Sequence, residues 1–172
     1  MSKARGLADL GNAYSDGALS NRNDVMNGAM NVAQRGASFT NVSDRQYCLD
    51  RWNQEHADAT FHLDIEQASG PTGEGFPFSL KATVQTTATL SAAGYIIPFE
   101  QRIEKSNTDQ FCWGTPNAKP ITISFWVKSN RTGTCTLDLV LGVATGGTDA
   151  TATKQYSIDT AGVWEYKTLT FP

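Results

Sequence analysis

From Ile121 to Lys128 the chain reads Ile-Thr-Ile-Ser-Phe-Trp-Val-Lys, apolar on odd positions and polar on even ones except at Trp126. A repeat of two puts alternate side chains on opposite faces of a strand, and a helix cannot hold that pattern. The same alternation runs through Phe61–Ile65, through Phe78–Gln85 with Phe78, Leu80, Ala82 and Val84 on one face, and through Cys135–Val143. Tyr47–Trp52, Tyr95–Glu104, Lys154–Ile158 and Trp164–Phe171 complete a set of strands at short spacing. Turn residues separate them: Ser69-Gly70-Pro71-Thr72-Gly73, Ala92-Ala93-Gly94, Arg131-Thr132-Gly133, Thr145-Gly146-Gly147-Thr148-Asp149 and Thr160-Ala161-Gly162. Strands with one apolar face must bury it against another sheet, so the expected fold is all-β, a two-sheet antiparallel β-sandwich of jelly-roll type. Pro98 lacks an N–H for the ladder and predicts a bulge or a sheet edge inside its strand.

Threonine usage agrees with this reading. Thr occurs 20 times, 18 of them after residue 70, and β-branched polar residues suit the solvent face of a sheet. Charged residues make up only 18% and the net charge is −3, which provides no basic footprint for nucleic acid. No apolar run approaches the roughly 20 residues of a membrane span. Met1–Gly11 lacks the apolar core of a secretion signal, so synthesis in a cytoplasm is expected. Cys48, Cys112 and Cys135 are too few and too far apart for a disulfide framework.

The first 24 residues differ from the rest. Leu7, Leu10, Tyr14 and Leu19 are their few large apolar groups, and the first three are spaced for one side of a short helix. Gly6, Gly11 and Gly17 each oppose that helix by roughly 1 kcal/mol relative to alanine. Such a segment builds no core. It reads as an extended or partly helical N-terminal arm that gains order by docking its apolar anchors on another protein. The organisation expected is an arm over 1–24, a linker over 25–44 leading into the first strand, and a sandwich over 45–172.

Catalytic patterns are absent. The two histidines, His56 and His62, have no Gly-x-Ser-x-Gly turn to serve, and with Cys48 they lack the close pairing of zinc ligands. Glu100 and Glu104 share one side of a strand and bracket Arg102, which reads as a solvated stripe with an ion pair. The glycines of Gly142–Gly147 lie between strands without a lysine or a following helix, so they form a hairpin loop and not a phosphate cradle. No enzyme activity and no metal site is expected. The tryptophans Trp52, Trp113, Trp126 and Trp164 carry more information. Each either fills a core or offers a flat face to a ligand. Trp52 at a strand end and Trp113 in Phe-Cys-Trp-Gly-Thr-Pro are the candidate platforms, and Trp126 sits on the polar face of its own strand.

Between Val25 and Trp52 the chain carries Asn27-Gly28-Ala29-Met30, Gln34-Arg35-Gly36 and Leu49-Asp50-Arg51-Trp52. This string resembles the opening of a domain found in tail-fibre and other virion proteins of bacteriophages. The preceding Ala-Arg-Gly-Leu-Ala-Asp-Leu-Gly-Asn-Ala-Tyr looks like the leader of such domains, and Ile121–Ser129 and Val163–Pro172 are similar to strands of galactose-binding-like jelly rolls, the carbohydrate-binding-module superfold. The resemblance implies a phage structural protein, of tail-fibre, receptor-binding or head-decoration type, located in the virion. The arm would dock on other virion proteins, the chain would form a homo-oligomer, with a trimer favoured, and the sandwich would be displayed for attachment to a host surface glycan. No heptad pattern supports a coiled-coil trimer. A stand-alone carbohydrate-binding module is the alternative. Domains of this kind often hold a structural calcium through an acidic residue soon after the Asn-Gly. Here Ala29 and Met30 follow, so no calcium is expected at that position. Such domains also run on beyond the strand ending at Phe171, so the expectation is either a sandwich completed by another subunit or, the favoured reading, one truncated at its C-terminus as part of a longer protein.

Overall fold

The computed structural model describes residues 23–56, 62–86, 96–142 and 150–172. The expected docking face, Leu7, Leu10, Tyr14 and Leu19, lies outside these residues. The described chain is mostly strand and every strand pairing is antiparallel. It divides into two compact units, one comprising residues up to 68 together with 78–107, the other 69–77 with 108–172.

The first unit holds β1 (Ser38–Val42), β2 (Trp52–His56), β3 (His62–Ser69), β4 (Phe78–Thr86) and β5 (Ile96–Gln101). One sheet has the order β1-β3-β4 and the other pairs β2 with β5. Strand β1 falls within the stretch that the sequence reads as linker. Its register against β3 slips between Phe39 and Val42, where Asn41 takes φ 50° and its N–H donates to Asp64 Oδ1 at 2.9 Å. Asparagine tolerates this left-handed geometry, and the bulge returns Val42 to the core face. A second bulge opposes Gln54 to the Pro98–Phe99 pair, as the missing N–H of Pro98 requires.

Val42, Cys48, Leu63 and Ile65 form the buried centre, with Phe39, Leu80 and Ala82 packed on it. Trp52 and Gln54 line a void too small for water together with Cys48, Ile65 and Leu80, so β2 faces the three-stranded sheet across this core. Burial pushes the Cys48 thiol up to about 11, which keeps it protonated and unreactive. The outward face of β3 and β4 is polar, with Lys81 Nζ 2.6 Å from Glu66 Oε1 and Gln85 Nε2 donating to Asp64 Oδ2 at 2.7 Å. Residues 47–51 form a turn, not the strand expected from their composition. Arg51 takes φ 74°, and the Cys48 and Trp52 N–H groups donate to Trp52 O and Leu49 O, which reverses the chain and starts the strand at Trp52.

The second unit holds β6 (Ile121–Val127), β7 (Gly133–Leu141), β8 (Ala150–Ile158) and β9 (Glu165–Phe171), paired β6 with β9 and β7 with β8. Phe125 of β6 meets Tyr156 of β8 edge-on, with centroids 5.1 Å apart. Burial, and then the neighbouring Cys135, push the Tyr156 hydroxyl up to about 12. The turn between β8 and β9 needs Gly162 at φ 77°, and the Gly162 N–H donates to Ser129 O at 2.7 Å.

The same turn is held by a carboxylate. Glu165 Oε1 accepts the N–H groups of Asp159 and Thr160 at 2.9 and 2.7 Å, and Lys167 Nζ lies 2.7 Å from Glu165 Oε2. The Lys167 hydrogen bond, followed by the Thr160 N–H, holds the Glu165 carboxyl below its ordinary value of 4.5. A depressed carboxylate contributes stability above its unfolded-state pKa and loses it as pH falls through the folded value. Hydrogen-exchange protection of the Asp159 and Thr160 amides, corrected for intrinsic rates, should therefore be constant above pH 4.5 and decline as pH falls further. Equal protection at the acid end would show that Glu165 does not hold the turn.

Candidate functional site

Strands β6 and β9 pair without a bulge from Ile121–Phe171 to Val127–Glu165. Alternation then sorts the side chains. Ile121, Ile123, Phe125, Leu169 and Phe171 turn inward, and the positions between them turn outward. On the outer face, Thr122 and Thr170 share a hydroxyl hydrogen bond at 2.9 Å, and Ser124 and Thr168 share one at 3.1 Å. The next pair is Trp126 with Tyr166, ring centroids 5.3 Å apart and tilted by 53°. Beyond the ladder, Lys128 Nζ stands 4.9 Å from the centre of the Trp164 ring. Four successive cross-strand pairs thus make a strip of hydroxyls, aromatic rings and an ammonium, about 20 Å long at the usual rise per strand residue. Tyr166 is 56% exposed, and Thr122, Ser124, Lys128, Thr168 and Thr170 are exposed as well.

Such cross-strand pairs stabilise a sheet in any setting. What packing does not require is the siting of large rings on the water side. Half-buried Trp126 beside exposed Tyr166, flanked by hydroxyls, supplies apolar stacking area together with donors and acceptors, a combination suited to a flat, polar, hydroxyl-rich ligand.

Trp52 and Trp113 sit elsewhere. Half-buried Trp52 donates its indole N–H to Asn27 O at 3.2 Å. Trp113, also half-buried, donates to Lys119 O at 3.1 Å and stacks on Phe111 with centroids 5.0 Å apart. Their loop closes on itself through a helical turn at Lys105–Thr108, a 3-10 turn at Asp109–Phe111 and the Lys119 N–H donating to Phe111 O. Trp52 belongs to the first unit and Trp113 to the second. Trp126 was marked in the sequence by its polar-face position. Tyr166 and Trp164 carried the same mark, because counting outward from the inward Leu169 and Phe171 puts both on the solvent face.

The string Asn27–Trp52 forms a buckle within the first unit. Asn27 Nδ2 donates to Val32 O at 2.9 Å and Asp50 O at 3.0 Å, while Asn27 Oδ1 accepts the Val32 N–H at 3.0 Å. Asp50 Oδ2 accepts the Gln34 N–H at 2.6 Å. Gln101 both donates to and accepts from the Met26 backbone at 2.7 Å, and Gln67 donates to Met30 O. Ala29 and Met30 leave no carboxylate in this turn. Arg102 pairs with Glu100 at 2.7 Å, whereas Glu104 turns to Arg51 at 2.8 Å, so each glutamate is occupied by its own arginine. Hydrogen bonding to Glu100 raises the Arg102 guanidinium above its ordinary value. Among the described residues no group of three or more His, Cys, Asp or Glu side chains converges as metal ligands. No described helix is long and apolar enough to cross a membrane.

Comparison with protein-family models, with curated proteins and with solved structures finds no match to this chain.

Proposed function

We propose that this chain is a non-enzymatic structural protein of a bacteriophage particle, of tail-fibre, receptor-binding or head-decoration type, that presents a jelly-roll-type sandwich for attachment to host-surface glycans. The observation that carries the attachment role is the outward strip of Trp126, Tyr166 and Trp164 beside the Thr and Ser hydroxyl pairs. The particle role is supported by the resemblance of the Val25–Trp52 string to virion domains. The antiparallel pairing throughout the described strands is the pattern a jelly roll needs. In this reading Leu7, Leu10, Tyr14 and Leu19 dock on a neighbouring tail or capsid protein, and a trimer displays several copies of the strip. Repetition on a particle then converts weak single-site binding into strong attachment, so an open strip suffices.

The test uses particles lacking the protein, incubated with the intact chain or with a chain in which Leu7, Leu10, Tyr14 and Leu19 are all changed to serine, and then sedimented. The intact chain should co-sediment and the substituted chain should stay in solution. Equal co-sedimentation would transfer the contact from the arm to the rest of the chain. Failure of both would leave the stand-alone carbohydrate-binding module, which the same strip serves without any particle.

A further inference from the structure

The eight outward residues of the strip are Thr122, Ser124, Trp126, Lys128, Trp164, Tyr166, Thr168 and Thr170. They carry one formal charge, and it is positive, on a chain whose net charge is −3. Lys128 makes no ion pair among the described residues; its ammonium rests on the Trp164 ring. Six other cations are held in ion pairs, whereas Lys119, Arg131 and Lys154, like Lys128, make none among the described residues, and of these four only Lys128 stands over a ring. Lys167 is held by Asp159 and Glu165, Lys81 by Glu66, and Arg35, Arg45, Arg51 and Arg102 by Asp50, Glu55, Glu104 and Glu100. Lys128 is therefore a cation seated on a ring, without an ion-pair partner among the described residues, two residues along the chain from Trp126. That spacing is about 7 Å.

We propose that the strip binds an acidic saccharide, with a sugar ring against Trp126 and Tyr166 and a carboxylate at Lys128. This rests on the glycan reading above and narrows it to carboxylate-bearing sugars. The contact over Trp164 places the ammonium in advance, so less side-chain freedom is lost on binding. The hydroxyl pairs on the other side of the aromatic pair meet the uncharged remainder of the ligand. A nucleic-acid strand also stacks on aromatic rings, but it needs a succession of cations along its phosphates, and the strip has a single one.

The test titrates the full chain, by tryptophan fluorescence and by calorimetry, with oligogalacturonate against its methyl ester and with sialyllactose against lactose. The acidic member of at least one pair should bind roughly tenfold more tightly, the usual scale of a charge-assisted contact, and the preference should shrink at high salt. Lys128→Gln should abolish the preference, Lys128→Arg should retain most of it, and Tyr166→Ala should weaken the acidic ligand several-fold. Far-UV circular dichroism checks that each variant is folded. Equal binding of acidic and neutral members, unmoved by K128Q, would overturn the role of Lys128 while leaving the glycan strip intact. Binding of none of the four would overturn the strip as a glycan site and this proposal with it. Single-stranded DNA that binds and is weakened by K128Q in place of the sugars would assign the strip to a different ligand and overturn the proposal.

Discussion

Asn27→Ala should destabilise the first unit by about 3 kcal/mol, from the loss of up to three hydrogen bonds at ~0.5–1.5 kcal/mol each and about 1 kcal/mol for alanine in a left-handed conformation. Asn27 stands at φ 51° and its side chain bridges Val32 and Asp50. Both contributions have a separate control. Asn27→Gly keeps the backbone geometry at no steric cost and loses only the side-chain bonds, so it should recover roughly 1 kcal/mol of the alanine loss. The measurement is amide hydrogen exchange at Val32 and Gln34 together with urea unfolding. The Val32 amide loses its acceptor directly. The Gln34 amide, bonded to Asp50 Oδ2 at 2.6 Å, should follow only if the buckle acts as one unit. Unchanged exchange at Val32 in N27A would show that the buckle does not hold the segment.

The buckle also explains which parts of the molecule the sequence makes visible. Alternation and turns announce β6 and β9, because a repeat of two within a strand depends only on neighbours along the chain. From that alone Trp126 and Tyr166 belong on the water side. Their pairing does not follow, since Trp126 meets a residue far along the chain and register is a long-range property. Trp52 and Trp113 read from the sequence as either core or platform, and the backbone carbonyl that engages each indole N–H, Asn27 O or Lys119 O, is one that no local pattern reveals. The turn at 47–51 was hidden for a related reason. Tyr47, Cys48, Leu49 and Trp52 have strand-like composition, and the tertiary hydrogen bonds that bend them outweigh that preference. Pro98 was visible because the missing N–H is a property of the residue itself.

Ile65→Ala should destabilise the first unit by about 3–4 kcal/mol, whereas Val84→Ala should stay within about 0.5 kcal/mol. By alternation alone these positions are equivalent, each on the apolar face of its strand. Ile65 is 1% exposed, paired with Phe39 and packed among Val42, Cys48 and Leu63. Val84 is 52% exposed, as is Phe78 at 41%, while Leu80 and Ala82 between them pack on the core. The cover over the three-stranded sheet therefore reaches the middle of β4 and not its ends. Truncating Ile65 removes methyl groups from a site whose neighbours cannot collapse fully, so the cavity adds to the lost transfer free energy. Truncating Val84 removes methyl groups that already stand half in water, so little burial is lost and no cavity forms. Urea midpoints with unchanged m-values would give both numbers on one scale. Equal losses at the two positions would mean that the sheet is covered along its whole length, and the division between covered centre and open ends would have to be abandoned.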